Sequence, residues 1–257
     1  MRFDDGNGEQ GGIQPIRSEV SPGVIQMQRF TKLIAIAVMG LGLAIIAMGT
    51  VNWQKANAGL ESLDAVYRAQ NVNLTYNEDG QLIDRGETEG AEAIMALLQD
   101  DWKFPVVEAD LDPADPLANT PTELMYQYAA INYHTLNGTQ TVVLDEGVEY
   151  NGEFFEAGTY EVPVDGRYWT DFDRQHPLEG VVRESAWNGT VHGLLGEIGA
   201  GVAADYQAGF AHFAAWRTMI VGLAFVLGGV GLFALASRES EKILFAAAET
   251  REEALAS

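Results

Sequence analysis

Two uninterrupted apolar runs set the pattern of this chain. Residues 33–51 form a stretch of 19 without a charge, and residues 219–236 a second stretch of 18. At about 1.5 Å per residue, a helix of that length covers most of a ~30 Å hydrocarbon layer. In lipid each backbone amide and carbonyl must be paired within its own segment, so both runs predict helices. Trp53 and Trp216 stand just outside the runs, where indole rings favour a membrane interface, and they are expected to act as anchors.

The basic residues give the expected orientation. Arg17, Arg29, Lys32, Arg238, Lys242 and Arg251 flank the outer ends of the runs, whereas Lys55, Arg68 and Arg217 flank the segment between them. That bias places both termini in the cytoplasm. Ala56-Asn57-Ala58 has the small-x-small form of a signal-peptide cleavage site, but the first run is longer than an ordinary signal core, and a retained span is the better reading. The expected division is a cytoplasmic segment at 1–32, a span at 33–51, an extracytoplasmic domain at 52–213, a second span at 214–237 and a cytoplasmic tail at 238–257. Gly6 to Gly12 is read as a mobile start.

Between the runs the pattern alternates between helix and strand. Residues 73–76, a turn at 77–80 and residues 81–84 predict strand, turn, strand. Ala91, Ile94, Leu97 and Leu98 fall at helical spacing before Pro105. Acidic residues with Pro113 and Pro116 predict a loop over 108–119. Thr120-Pro121-Thr122-Glu123 has the form of a capped helix start, with Asn137-Gly138 as its stop. Residues 139–164 read as strands, with a hairpin turn at Asn151-Gly152. From about Leu178 the helical period returns, and Trp187, Val191, Leu194, Leu195, Ile198 and Val202 share a face with nothing forcing a break before the second run. The expected fold class is therefore a membrane protein with two transmembrane helices flanking an α+β extracytoplasmic domain.

Charge sharpens this picture. Residues 52–213 hold seven basic and 28 acidic side chains, a net of −21 out of −22 for the whole chain. Such a domain repels nucleic acid and attracts cations or basic proteins. The chain has no cysteine, which excludes disulfides and thiolate metal sites.

Two stretches, Ala130-Ile-Asn-Tyr-His134-Thr135-Leu136 and Gly166-Arg-Tyr-Trp-Thr-Asp171-Phe172-Asp173-Arg174-Gln-His-Pro177, resemble a family of small bacterial membrane proteins with two spans and an outer domain. Some members carry a ring-opening dioxygenase label. Residues 139–165 separate the stretches here, whereas they are nearly adjacent in that family. The resemblance implies the topology and a bacterial cytoplasmic (inner) membrane, and it implies no substrate.

Candidate chemistry is sparse. His134, His176, His192 and His212 form no HxH or HxxxH pair, so their spacing predicts no metal site, and His134 reads as a hydrogen-bonded structural residue. Asp110, Asp112 and Asp115 are a candidate calcium loop, set against the plainer reading of a solvated acidic loop. No P-loop, dinucleotide fingerprint or nucleophile elbow is present.

Small residues recur at Gly189, Gly193, Gly196, Ala200, Ala204, Ala208, Ala211 and Ala215, and loosely onward as Gly222, Ala224 and Gly228. Steps of three and four place them on one helix face, which predicts a close-packing seam against another helix or another protein. The expected role is a non-enzymatic accessory or scaffold subunit of a larger membrane complex, such as a respiratory or photosynthetic one. Its acidic outer face would dock a partner such as a basic soluble protein. The rivals are an extracytoplasmic sensor or ligand-binding module and a membrane-anchored metalloenzyme using His134.

Overall fold

The apolar runs fold as parts of two long helices. The computed structural model describes residues 22–256. Helix α1 is Pro22–Gln70 and helix α5 is Gly189–Ala256. Both are long and apolar enough to cross a membrane, and only 17% of the most apolar stretch of each is buried within the chain. Leu33, Leu41 and Met48 on α1, and Ile220, Leu227 and Leu235 on α5, are exposed. Faces of that kind suit an apolar surrounding. The chain divides into two compact units, Met1–Val51 with Ala214–Ser257, and Asn52–Phe213. Gly6 to Gly12, Arg17 and the Arg251 side chain lie outside what is described.

In the first unit α1 and α5 pair antiparallel along a seam of small residues. Ala35, Gly42 and Gly49 stand seven apart on α1, and Ala215, Gly222 and Gly229 stand seven apart on α5; all six are buried. The backbones approach so closely that a side chain has no room. A Cβ placed on Gly42 would lie 2.6 Å from the Gly222 carbonyl oxygen and 2.8 Å from the Val226 nitrogen. On Gly222 it would lie 2.7 Å from the Gly42 carbonyl oxygen, on Gly229 2.8 Å from that of Ala35, and on Gly49 3.1 Å from that of Ala215. Such close backbone approach gains dispersion contact along the seam, the kind of attraction that small-residue helix pairs use where no hydrophobic drive operates. Ser240 Oγ donates to Gln28 Oε1 at 3.0 Å near the far end of the pair.

This seam takes up part of the stripe expected from the sequence. Ala215 and Gly222 belong to it, but Gly228 is one residue, about 100°, away from Gly229 on the helix, and nothing lies within 4 Å of a Cβ placed there. The same is true of Gly189, Gly193 and Gly196. In their part of α5 the inward face is held by the bulkier Leu195 and Val202, both buried and also seven apart, so the glycines fall beside the packed face. Ala211 is exposed and Ala208 half-buried.

The Asn52–Phe213 unit is mixed helix and strand. Helix α2, Thr88–Ala96, runs into a single π-type turn at Leu97–Asp101. Helix α3, Pro121–Leu136, starts at the Thr120 cap and ends at Asn137. Four strands follow: β1 Thr139–Leu144, β2 Val148–Tyr150, β3 Glu153–Phe155 and β4 Gly158–Pro163. They form nested antiparallel ladders, β1 with β4 and β2 with β3. Asn151 and Gly152 close the inner hairpin with φ of 51° and 84°, the left-handed pair that a two-residue hairpin turn demands. Helix α4 is Glu179–Ala186.

Two expectations are corrected here. Residues 73–76 and 81–84 make no ladder: Tyr76 meets Leu82 in an isolated bridge, and Asn73 bridges instead to Leu117. The Asn77 side chain takes the Asp79 and Gln81 amides at 3.0 and 2.9 Å, and Arg85 and Gly86 both turn to positive φ, so pairing stops after one turn. The helical stretch after Leu178 does break, at Trp187, whose φ of −102° and ψ of 49° leave the helix. Asn188 then caps α5, its Oδ1 accepting from the Thr190 and Val191 amides at 2.9 and 3.1 Å.

The seam predicts a sharp contrast between neighbouring glycines. Gly222→Leu should overpack the helix pair and destabilise the first unit by about 1–3 kcal/mol or more, read as a lower melting temperature in detergent. Gly228→Leu, six residues on but facing open space, should leave that temperature unchanged. Equal effects of the two substitutions would show that the seam does not hold the pair together.

Candidate functional site

Helix α3 carries the architecture around which any site must be built. Its first turn is fixed by a reciprocal cap. Thr120 Oγ1 accepts from the Glu123 amide at 3.3 Å, and Glu123 Oε2 accepts from the Asn119 and Thr120 amides, each at 3.0 Å, and from Thr120 Oγ1 at 2.9 Å. Glu123 is buried, and that burial pushes its carboxyl above the usual glutamate range despite the hydrogen bonds pulling the other way. Leu124 then packs with Tyr67 and Val202, Tyr126 and Ala129 with Ile94 and Leu98 of the α2 region, and Leu136 with Val142, Val182 and Trp187.

The groups that could do chemistry are tied into this framework. His134 Nε2 lies 2.9 Å from Asp84 Oδ1, joining α3 to the loop before α2, and its ring meets Tyr133 edge-on. His176 Nδ1 accepts from the Leu178 and Glu179 amides at 3.1 and 3.2 Å, capping α4, while Tyr150 and Phe155 lie against its ring. His192 lies beside Trp169 and Trp187, and His212 beside Trp53. Among the described residues no group of three His, Asp or Glu side chains is gathered closely enough to hold a metal ion. Asp110, Asp112 and Asp115 are not brought together as ligands, and Asp112 Oδ1 accepts from the Ala114 amide at 2.9 Å.

The motif at 166–177 is a structural knot. Arg167 donates to Glu179 at 2.9 Å and to the Val164 and Pro163 carbonyls, and its guanidinium covers the Phe172 ring at 4.4 Å. Glu179 also accepts from the Asp173 amide at 2.9 Å. Burial acts to raise the Glu179 carboxyl, but that amide and Arg167 outweigh it and hold it below its ordinary value. Arg183, buried, lies 3.5 Å over the Trp169 ring, donates to the Trp169 carbonyl at 3.1 Å and pairs with Glu184. The Trp187 indole donates to the Arg167 carbonyl at 3.2 Å. Strands, motif and α4 are thus locked together by charge-assisted hydrogen bonds and cation–π contacts.

The large concave surface of the unit lies elsewhere. A cleft of about 850 Å³ opens between the Leu63–Val72 segment, α3 and the start of α5. Its walls are mostly apolar, with Leu63, Leu124, Ile131 and Ile198 among them, and the expected seam residues Ala200 and Ala204 also line it. Four polar side chains reach it: Tyr67, Gln70, Gln127 and Glu197. The Tyr67 hydroxyl donates to Asp205 at 2.8 Å and Gln70 Nε2 donates to Glu197 at 2.6 Å. Gln127 Nε2 is buried without a hydrogen-bond partner. Sequence periodicity did not reveal this cleft, because its wall is assembled from three segments far apart along the chain. Trp53 is half-buried and Trp216 about half-exposed.

No family model, curated protein or solved structure matches the chain. The resemblance at 130–136 and 166–177 therefore stands without a family assignment, and the reading of function rests on the geometry.

The buried cap gives a pH-dependent prediction. Glu123→Ala removes the acceptor of three hydrogen bonds and should cost about 1–3 kcal/mol. Glu123→Gln keeps an acceptor at the cap, sheds the buried charge and should cost less than half as much. Since burial raises the native carboxyl pKa, the contribution of Glu123 is full below the ordinary glutamate value and declines as pH rises through the raised one. Unfolding measured from pH 4 to 8 should therefore show wild type losing ground relative to Glu123→Gln as pH rises. A slope of the opposite sign would mean that the hydrogen bonds, not burial, dominate.

Proposed function

We propose that this chain is a non-enzymatic accessory or scaffold subunit, anchored in a bacterial cytoplasmic membrane by α1 and α5 as part of a larger membrane complex. Its termini are cytoplasmic, and the Asn52–Phe213 unit is extracytoplasmic. The observation that carries the reading is the commitment of the reactive side chains to structure: His134 is held by Asp84, His176 caps α4, and Arg167 and Arg183 staple the motif. What these bonds leave available to other molecules is surface. The unit carries a net charge of −21, suited to docking a basic protein. The paired helices turn large apolar residues outward on both sides, suited to lipid and to neighbouring spans. The glycines at 189, 193 and 196 leave one face of α5 smooth and open, where another subunit could approach closely.

Isolation in mild detergent tests the proposal. The chain should migrate with other integral membrane subunits in fixed stoichiometry, and Gly193→Leu with Gly196→Leu should detach them without changing the melting temperature of the chain itself. A basic soluble partner should dissociate steeply between low and high salt, since exposed charges are screened within about 10 Å at 0.1 M. A chain that purifies alone, with stoichiometric metal lost on His134→Gln, would replace this reading with the metalloenzyme.

A further inference from the structure

We infer that the aromatic pocket formed by Trp102, Tyr128 and Tyr168 binds a trimethylammonium cation, the group found in choline and in choline lipid heads. This goes beyond the subunit role and does not rest on it. The pocket lies wholly within the Asn52–Phe213 unit, encloses about 500 Å³ and is lined by the three rings with Met125, Asn132 and Gly199. That volume is within the range of sites for small organic ligands. Trp102 ends the π-type turn after α2, and Met125, Tyr128 and Asn132 stand on one face of α3, at steps of three and four. The Trp102 and Tyr128 rings meet at 5.6 Å with their planes 74° apart, so they stand as two adjoining walls of a corner. Tyr168 stacks on Trp187 at 5.7 Å yet is 39% exposed, so one face is taken and much of the ring is still open. Aromatic faces carry the negative part of the ring quadrupole and attract a cation that has shed its water.

Charge complementarity fixes the sign of the occupant. The unit carries a net charge of −21, and carboxylates stand beside two of the three rings. Asp100 and Asp101, both exposed, precede Trp102, and Asp171 Oδ2 accepts from the Tyr168 amide at 2.9 Å. Such a field concentrates cations and repels anions. The neighbouring cations do not line the pocket: Arg167 is held by Glu179 at 2.9 Å, and Lys103 faces solvent beside the two aspartates. The lining then selects among cations. It contains no carboxylate, so sodium or calcium would find few oxygens to replace its hydration shell. A primary ammonium brings three N–H donors, for which Asn132 is the single amide side chain in the lining. A trimethylammonium group has no N–H to satisfy. Its diffuse charge suits aromatic walls, and its methyl groups suit the Met125 thioether.

The test uses the full chain in nanodiscs whose lipids lack choline, with radiolabelled choline as the probe. The expected result is saturable binding of about one choline per chain, displaced by tetramethylammonium. The uncharged tert-butyl isostere of choline, 3,3-dimethylbutanol, should compete at least tenfold more weakly, because it keeps the shape and loses the cation–π attraction. Tyr168→Leu should weaken choline about fivefold, and Tyr168→Phe, which keeps the ring, should restore it. Glycerophosphocholine separates the two sources of the group. Competition stronger than that of tetramethylammonium assigns the site to a lipid head, and weaker competition, from repulsion of its phosphate, assigns it to a free cation. The inference is overturned if no saturable binding appears, or if the isostere competes as well as choline. It is equally overturned if sodium displaces choline at matched concentration, which would mark a diffuse ion atmosphere, or if a folded Tyr168→Leu chain binds choline unchanged. The comparison of choline with its isostere needs no variant, so it decides the matter even where Tyr168→Leu fails to fold.

Discussion

The buried start of α3 is the constraint on which the Asn52–Phe213 unit depends. A carboxylate in the interior is costly unless its oxygens are satisfied, and Glu123 meets that condition by accepting three hydrogen bonds from the two residues ahead of the helix. Once the cap forms, the direction of α3 is set, and so are the three faces it presents. One face meets α2, one meets the hairpin and α4, and one meets the segments at Tyr67 and Val202. These three clusters contain most of the unit's buried apolar residues. The cleft lies on the third face, where Leu124 and Gln127 are among its lining residues.

How much of this could be read from the sequence depends on how local the cause is. The cap of α3, its stop at Asn137 and the Asn151-Gly152 turn follow from neighbours within four residues, and each was legible. The break at Trp187 was not. The helical period runs straight through it, and the residue leaves the helix where its indole donates to Arg167, twenty positions earlier. The short pairing at 73–84 escaped for the opposite reason: β-forming residues were present, but Asn77 diverts two backbone amides to its own side chain. His134 was legible as a hydrogen-bonded residue, although its partner, Asp84, lies fifty residues away and had no local signal.

The small residues show how one stripe can mix positions packed within the chain with positions left open. Counting steps of three and four selects a broad stripe, and α5 offers small residues on more than one side. The packed face follows a stricter rule, a seven-residue repeat with Ala215, Gly222 and Gly229 meeting Gly49, Gly42 and Ala35 in reverse order. Reading both helices together would have found it, because the repeats match in residue type, spacing and number. A seven-residue repeat keeps two helices facing each other over several turns, whereas a stripe with longer average steps drifts away from any straight partner. Backbone contact then takes the place of side-chain interdigitation, and the large side chains are turned outward.

The division between polar and apolar surface follows from the same economy of partners. Arginine is scarce among 28 acidic residues, and Arg167 of the motif and Arg183 of α4 are spent on Glu179, Glu184 and two aromatic rings. Most remaining carboxylates therefore face solvent without a cation, which suits solubility and a basic partner and leaves the interior short of cationic groups. A cleft built in such a unit has little with which to bind an anion. Its lining is mostly apolar, with Tyr67, Gln70, Gln127 and Glu197 as the polar side chains and none of them cationic.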